Sequence, residues 1–361
     1  MPSMNFNFPL LKPVRIILFP FSLLYLAAII IRNWFYDKNI LPSSSFALPV
    51  ICVGNVAAGG TGKSPMVEYL LQQLGTQYKL ATLSRGYKRK TKGYALANTS
   101  STALEIGDEP MQFYQKFPHV AVAVGEERVL AVPQLLHDRP DTEAIILDDA
   151  FQHRAIKAGL NIVLTDYNNL YTRDWYLPTG DLRDERRSVQ RADIVVVTKC
   201  AADLDDSKAY EIKKELALLP NQQLFFSSIR YGQLYHIIHG SNYQITNDVE
   251  VLLVTGIANP KPLKRLLTDV AGTYEQLVYT DHHIFTIDDL NEIRRRFEEM
   301  DTKHKIILTT EKDAVRLKKF EQELQALPFF VIPIEMRFLF DDDARFTALI
   351  GTFIKQFSAS A

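Results

Sequence analysis

Cysteine is almost missing from this chain. Of 361 residues only Cys52 and Cys200 are cysteines, in neither a Cys-x-x-Cys nor any other metal-like spacing, which excludes a disulfide framework and a structural zinc site and fits a reducing, cytosol-facing location. An excess of charge is missing too. With 41 Lys and Arg against 42 Asp and Glu, the net charge is −1, so the basic surplus of a general nucleic-acid binder is excluded. Internal repeats and long low-complexity tracts are also wanting, and after residue 40 no apolar run is long enough to suggest a membrane segment. What remains is the composition of a folded protein whose length suggests about two domains.

The single long apolar run lies near the start. Sixteen residues, Ile16 to Ile31, carry no charge and are followed by Trp34-Phe35-Tyr36. That is slightly short of the ~20 residues of a straight membrane span. No small-residue cleavage site follows, which argues against a removed signal peptide. Lys12 and Arg15 before the run, and Arg32 and Lys38 after it, suit anionic headgroups, and the aromatics suit the interface. Spanning and monotopic insertion both fit. The alternative of a buried core helix is opposed by Pro20 and by apolarity on all sides of the run.

The strongest chemical signal comes next. An apolar stretch, Leu48 to Val53, runs into Gly54-Asn55-Val56-Ala57-Ala58-Gly59-Gly60-Thr61-Gly62-Lys63-Ser64-Pro65. This reads as a strand, a phosphate loop and a helix start. Glycines let consecutive N–H groups converge on phosphate oxygens, backed by the positive end of the following helix. Gly59, Gly60, Thr61 and Gly62 would form the cradle, Lys63 reach the outer phosphates and Ser64 hold Mg²⁺. The usual first glycine of the pattern is Ala57 here. Nucleoside triphosphate chemistry is the expectation, with ATP and Mg²⁺ as cofactors.

From Leu48 onward, β-branched runs alternate with helical stretches, the pattern of a doubly wound, mostly parallel α/β sheet. Strands are expected at 49–53, 80–84, 120–124, 144–147, 161–165 and 194–198, and helices from near Ser64, Asp108, Gly125 and Ile287. Three parts are expected: an N-terminal membrane helix over 1–38, a P-loop NTPase core over 39–200, and a smaller α/β domain over 201–361 behind the polar stretch 201–207.

Further groups suit phosphoryl transfer. The strand 144–147 ends in Asp148 and Asp149, the form of a second nucleotide motif in which a carboxylate holds Mg²⁺; which of the two does so stays open. Asp108, opening a helix in Gly107-Asp108-Glu109-Pro110, reads equally as an N-cap or as the base that accepts a hydroxyl proton. His282 and His283, in Asp281-His282-His283, are the other candidates. Five cations lie between Arg85 and Lys92 with no acid before Glu105. A solvated loop is the default for such a run, yet Arg85, with Lys88 and Arg89, follows a strand end where a phosphate would be gripped.

Taken in order, Gly59-Gly60-Thr61-Gly62-Lys63-Ser64-Pro65, Leu83-Ser84-Arg85-Gly86-Tyr87, Gly107-Asp108-Glu109-Pro110 and Asp148-Asp149-Ala150-Phe151-Gln152-His153 resemble the tetraacyldisaccharide 4′-kinase family. Gly180-Asp181-Leu182-Arg183, Arg191-Ala192-Asp193, Gly256-Ile257-Ala258-Asn259-Pro260, Asp281-His282-His283 and Thr309-Thr310-Glu311-Lys312-Asp313-Ala314 extend the match to about residue 337. The resemblance implies transfer of the γ-phosphate of ATP to the 4′-hydroxyl of a tetraacyldisaccharide 1-phosphate, giving lipid IVA in lipid A biosynthesis. It implies Asp108 as general base, a histidine of the Asp-His-His motif assisting from the second domain, and Lys63 and Ser64 joined by Asp148 and Asp149. Where the family has an acidic metal ligand after Leu-Arg, this chain offers Asp184 or Glu185. Arg85, Lys88 and Arg89 would suit the 1-phosphate. A bacterial inner-membrane location with catalytic domains facing the cytoplasm follows, with inner-membrane lipids as partners and no nucleic acid or obligate protein partner. A tether at the headgroup plane spares extraction of a four-chain lipid, at roughly 0.8 kcal/mol per methylene. The rival is a regulatory or metallochaperone-type P-loop NTPase without a lipid acceptor; Thr198-Lys199 hints at a GTPase base-reading motif, but Ala201 stands where its Asp would be.

Overall fold

The computed structural model describes residues 12–360. The first eleven residues of the expected N-terminal segment 1–38, and Ala361, lie outside the described residues.

The larger sheet explains the apolar runs. Its strands in chain order are β1 Val50–Asn55, β2 Leu80–Ser84, β3 Ala95–Leu96, β4 Ala121–Val124, β5 Ala144–Asp148, β6 Leu160–Asp166, β7 Ile194–Thr198, β8 Gln223–Tyr231 and, after a long excursion, β15 Ile334–Phe338. They lie in the order β15-β8-β7-β6-β1-β5-β2-β4-β3. The pairs from β8 across to β4 are parallel, β3 is antiparallel to β4, and at the other edge β15 runs antiparallel to β8, with Leu339 N on Phe226 O and Gly232 N on Pro333 O. Such strands need apolar side chains on both faces. Val50 and Cys52 enter one core with Ile145 and Leu147, while Ile51 and Val53 enter the other with Ala144 and Ile146. The helices Arg128–Asp138 and Asp206–Leu216 cover the first face through Val132, Leu135 and Ile212. The helices Lys63–Leu74 and Asp343–Ser360 cover the second through Leu70, Leu74, Phe346 and Ile350.

The described chain divides into two compact units, Tyr231–Glu335 forming one and residues 12–230 with 336–360 the other. The boundary expected after Cys200 therefore moves. The stretch 201–207 lies inside the larger unit, because β8 pairs parallel with β7 from Ile194↔Gln223 to Val197↔Phe226. A polar crossover loop and an interdomain linker have the same composition, so the sequence does not distinguish them. The last 25 described residues also rejoin the larger unit.

The smaller unit repeats the scheme. With β9 Leu234–His236, β10 Asn242–Tyr243, β11 Glu250–Thr255, β12 Thr273–Val278, β13 Lys305–Thr310 and β14 Phe329–Ile332, its sheet runs β10-β9-β14-β13-β11-β12. The strands β11 to β14 pair in parallel, and β9 is antiparallel to β14. Val251 and Leu253 face one core, Leu252 and Val254 the other.

The apolar N-terminal run forms the helix Phe19–Asp37, preceded by a short helix Lys12–Ile17. The helix is long and apolar enough to cross a membrane. It is nevertheless seated on the larger unit along one stripe. Ser22 Oγ meets Thr179 Oγ1 at 2.6 Å, Tyr25 donates to Arg183 O at 3.2 Å, Arg32 to Gln152 O at 2.7 Å, and Arg154 pairs with Asp37 at 2.6 Å. Phe21, Leu24, Ile31 and Trp34 are exposed on its other faces.

Candidate active site

The phosphate loop begins where β1 ends. Asn55 Nδ2 donates to Thr61 Oγ1 at 2.7 Å, and Thr198 Oγ1, from the end of β7, donates to Thr61 O at 2.8 Å. Gly59 (φ +106°) and Gly62 (φ +89°) hold left-handed conformations that a side chain would strain. A Cβ at Gly59 or Gly60 would meet nothing within 4 Å, so the loop is an open cradle. Ala57 is not in that conformation; it bridges Leu182, and Ala58 N donates to Asp181 O at 2.6 Å. A glycine is therefore not required there, which accounts for the departure from the usual pattern. Gly62 caps the helix Lys63–Leu74, so Lys63 and Ser64 stand in its first turn, at the positive end of its dipole.

Beside the loop, β5 delivers the acidic pair, and the two carboxylates part company. Asp148 ends the strand and is buried; its Oδ1 has no hydrogen-bond partner. Burial, the charge of Asp149 and Glu109 push its carboxyl up to about 7, against the pull of Lys63 and Arg128. Asp149 turns into the left-handed region (φ +52°), with its N–H on Val53 O at 2.9 Å. Burial works against its charge, but Lys63 and Arg183 hold its carboxyl below the usual range. Lys63 Nζ lies 3.8 Å from Asp149 Oδ1. Arg183 grips both Asp149 oxygens and Asn55 Oδ1.

Asp108 is the first residue of the helix Asp108–Lys116, and the cap position belongs to Gly107 (φ +96°). A Cβ on Gly107 would lie 3.2 Å from Gly86 Cα, so the two glycines bring the turn after β2 against the start of this helix. Arg85 on that turn is exposed.

The donor set fits a nucleotide and its metal. The glycine cradle is open, Lys63 and Arg183 supply cations, and a buried carboxylate oxygen on Asp148 is unused. No cluster of three or more His, Cys, Asp or Glu that could hold a metal occurs among the described residues. A Mg²⁺ here would take Ser64, one carboxylate of the pair and phosphate oxygens, the usual arrangement for this ion with a nucleotide.

Comparison with known proteins decides the family. The tetraacyldisaccharide-1-P 4′-kinase family model matches residues 14–355. The chain belongs to that family. It is 43% identical over 355 residues to the tetraacyldisaccharide 4′-kinase of Bacteroides thetaiotaomicron, covering 94% of this chain and 93% of that one. The corresponding protein of Flavobacterium johnsoniae is 45% identical, with 95% and 98% covered. Among solved structures, LpxK from Aquifex aeolicus in complex with ATP superposes with a TM-score of 0.74 at 27% identity, covering 94% of this chain and 99% of that one.

Several residues singled out in the kinase sequence are placed differently from expectation. Asp184, a candidate metal ligand, is 1% exposed, and both its oxygens are taken. Oδ1 accepts from Asn33 Nδ2, Ser188 Oγ and Glu185 N, each at 2.9 Å, and Oδ2 from Arg191 at 3.2 Å. Glu185 accepts from the same Asn33 amide at 2.9 Å. Arg89, expected on substrate phosphate, pairs with Glu126 at 2.7 Å and donates to Gly93 O, closing its own loop. Lys88 lies over the Tyr87 ring. The Thr310 to Asp313 segment is a helix cap, Asp313 N donating to Thr310 Oγ1 at 3.3 Å.

In the smaller unit the two histidines differ. His283 is bonded to Asp289 at 2.9 Å and stacked on Tyr279, inside the capping box of the helix Ile287–Glu299. His282 is in the left-handed region (φ +63°), and its Nδ1 accepts from Arg316 at 2.9 Å, which leaves the ring proton to Nε2.

Two cations at the site escaped sequence reasoning as functional groups. In the sequence Arg183 stands out only as part of a motif. Arg128 is 4% exposed in the helix after β4 and acts electrostatically on Asp148 and Asp149; burial and the charge of Arg85 hold its own pKa below the usual range. Only their positions beside the acidic pair reveal them, since an isolated arginine carries no spacing signature.

Proposed function

We infer that this kinase transfers the γ-phosphate of ATP to the 4′-hydroxyl of a tetraacyldisaccharide 1-phosphate at a membrane surface. The observation that carries the reading is the convergence of the phosphate cradle, Lys63, Arg183 and a divergent acidic pair in a member of this family. Loop amides and Lys63 hold the phosphates, and Arg183 and Arg128 offset their charge. Asp108, at the start of its helix, receives the proton of the attacking hydroxyl. His282, with its Nδ1 occupied by Arg316, is the histidine of the Asp-His-His pair suited to assist; His283 is committed to Asp289. A bound Mg²⁺ would be held by Ser64 and a carboxylate of the acidic pair and would supply charge neutralisation at the phosphates. Exposed Arg85 and Lys88 suit the 1-phosphate of the acceptor.

The test is transfer of label from γ-labelled ATP to tetraacyldisaccharide 1-phosphate in mixed micelles, comparing wild type with Asp108→Ala. Labelled lipid from wild type, reduced about 10³-fold in the variant, is the expected result for loss of a general base. Free phosphate released regardless of lipid, with no labelled product, would establish the switch NTPase instead.

The anchor helix is proposed to lie in one leaflet, with the catalytic units on the cytoplasmic side. Hydrogen bonds from Ser22 to Asp37 hold its length against the protein, and the exposed apolar residues face the other way. Leu24→Glu combined with Ile31→Glu is expected to abolish flotation with anionic vesicles, because charges on the apolar face lose the burial that drives interfacial binding. Unchanged flotation would place the membrane contact elsewhere.

A further inference from the structure

One polar side chain of the apolar N-terminal helix does more than seat it. Asn33 is 1% exposed, and its single amide nitrogen bridges Asp184 Oδ1 and Glu185 Oε1, both at 2.9 Å, with Ser188 Oγ at 3.3 Å. The segment it holds is the one that carries Arg183. The N–H groups of Arg183 and Asp184 both donate to Val56 O, at 2.8 and 3.2 Å, so this segment runs beside the root of the phosphate loop. The Arg183 guanidinium then closes on Asp149 and Asn55.

The physics of this clamp is specific. Asp184 and Glu185 are adjacent carboxylates, one of them fully buried, and like charges in such a setting repel unless a donor stands between them. Asp184 also accepts from Ser188, Glu185 N and Arg191, but the Asn33 side chain is the donor that bonds both carboxylates. Its loss would leave Glu185 without this donor beside a buried carboxylate, and the neighbouring residue that would shift is Arg183, whose fork meets two acceptors at once. Ser22, by contrast, bonds Thr179, and none of its bonds goes to Asp184 or Glu185.

We propose that Asn33 is a positioning residue for phosphoryl transfer: the membrane helix is a structural part of the active site, holding Arg183 on Asp149 through Asp184 and Glu185. This rests on the kinase reading above.

The experiment uses the full-length protein, ATP and tetraacyldisaccharide 1-phosphate in mixed micelles, with flotation on phosphatidylglycerol-containing vesicles measured in parallel. Asn33→Ala is expected to lower kcat about tenfold, the scale of a lost hydrogen bond to a charged group, with the lipid KM and flotation unchanged. Ser22→Ala is expected to leave kcat within about twofold, as an ordinary seat contact would. In an Arg183→Ala background, Asn33→Ala should cost nothing further, since both act through the same guanidinium. If the alanine variant fails to fold, Asn33→Ser, which keeps one donor, carries the same double-variant comparison. The proposal is overturned if wild type makes labelled lipid but the two losses multiply independently, if flotation falls in step with turnover, or if Asn33→Ala is kinetically silent. Wild type making no labelled lipid would instead remove the kinase reading itself.

Discussion

Lys63→Ala is expected to lower transfer from ATP to the lipid acceptor by about a thousandfold or more while weakening ATP binding far less. The asymmetry follows from the geometry. Ground-state phosphates are held mainly by loop amides, whose convergence is set by Gly59 and Gly62 and by the Asn55–Thr61–Thr198 bonds. None of these is touched by the substitution. In the proposed reaction the ammonium, 16% exposed and standing between the helix dipole and Asp149, would meet charge that grows as the phosphoryl group moves. Lys63→Arg should rescue poorly, because a broad planar fork cannot occupy the site of a compact ammonium. Nucleotide binding by equilibrium titration and turnover by label transfer, measured on the same preparations, separate the two effects. Turnover within tenfold of wild type would show that Lys63 is away from the chemistry.

Asp148→Asn is expected to move stability and activity in opposite directions. The Asp148 carboxyl titrates near pH 7 in the folded protein, raised by burial and by Asp149, against about 4 in the unfolded chain. A raised folded value means the group disfavours folding once the unfolded chain ionises. The penalty is absent below about pH 4, grows between pH 4 and 7, and is constant above. Its ceiling is on the order of a few kcal/mol. Asparagine carries no such penalty, so the nucleotide-free variant should melt several degrees above wild type at pH 8 and close to it near pH 4. Thermal melts across that range, without nucleotide or metal, read the difference directly. A pH-independent difference would mean the carboxyl is not raised. Turnover should fall at least about a hundredfold, since the unpaired Oδ1 proposed as a metal ligand loses its charge. The opposing signs are what a site storing unfavourable charge for a ligand predicts.

Both expectations concern residues already visible in the sequence, and the reason is local. A phosphate loop works through consecutive backbone groups and one adjacent side chain, so its chemistry is written in a single run from Gly54 to Ser64. The parallel sheet is equally local, since strands buried on both faces must be uninterrupted apolar runs; β2 and β7 begin and end where expected. The helix Phe19–Asp37 is legible for the same reason. Asp108 is ambiguous in the sequence because a cap and a base use the same residue; in the structure the cap position belongs to Gly107.

What composition and spacing determined, then, was the α/β class, the nucleotide site, the apolar N-terminal helix and, through an ordered set of motifs, the family. These depend on residues near one another along the chain. Tertiary structure decided the rest. It sent β8 and the C-terminal helix back to the larger sheet, because strand pairing is set by register with β7 rather than by the polarity of residues 201–207. It gave Asp148 and Asp149 opposite environments, because one stays in the strand and the other turns toward Lys63 and Arg183. It buried Asp184, a candidate metal ligand, and tied it to Asn33, 151 residues earlier in the chain. Burial and partnership of a charge depend on what the fold brings beside it, and no local pattern carries that information.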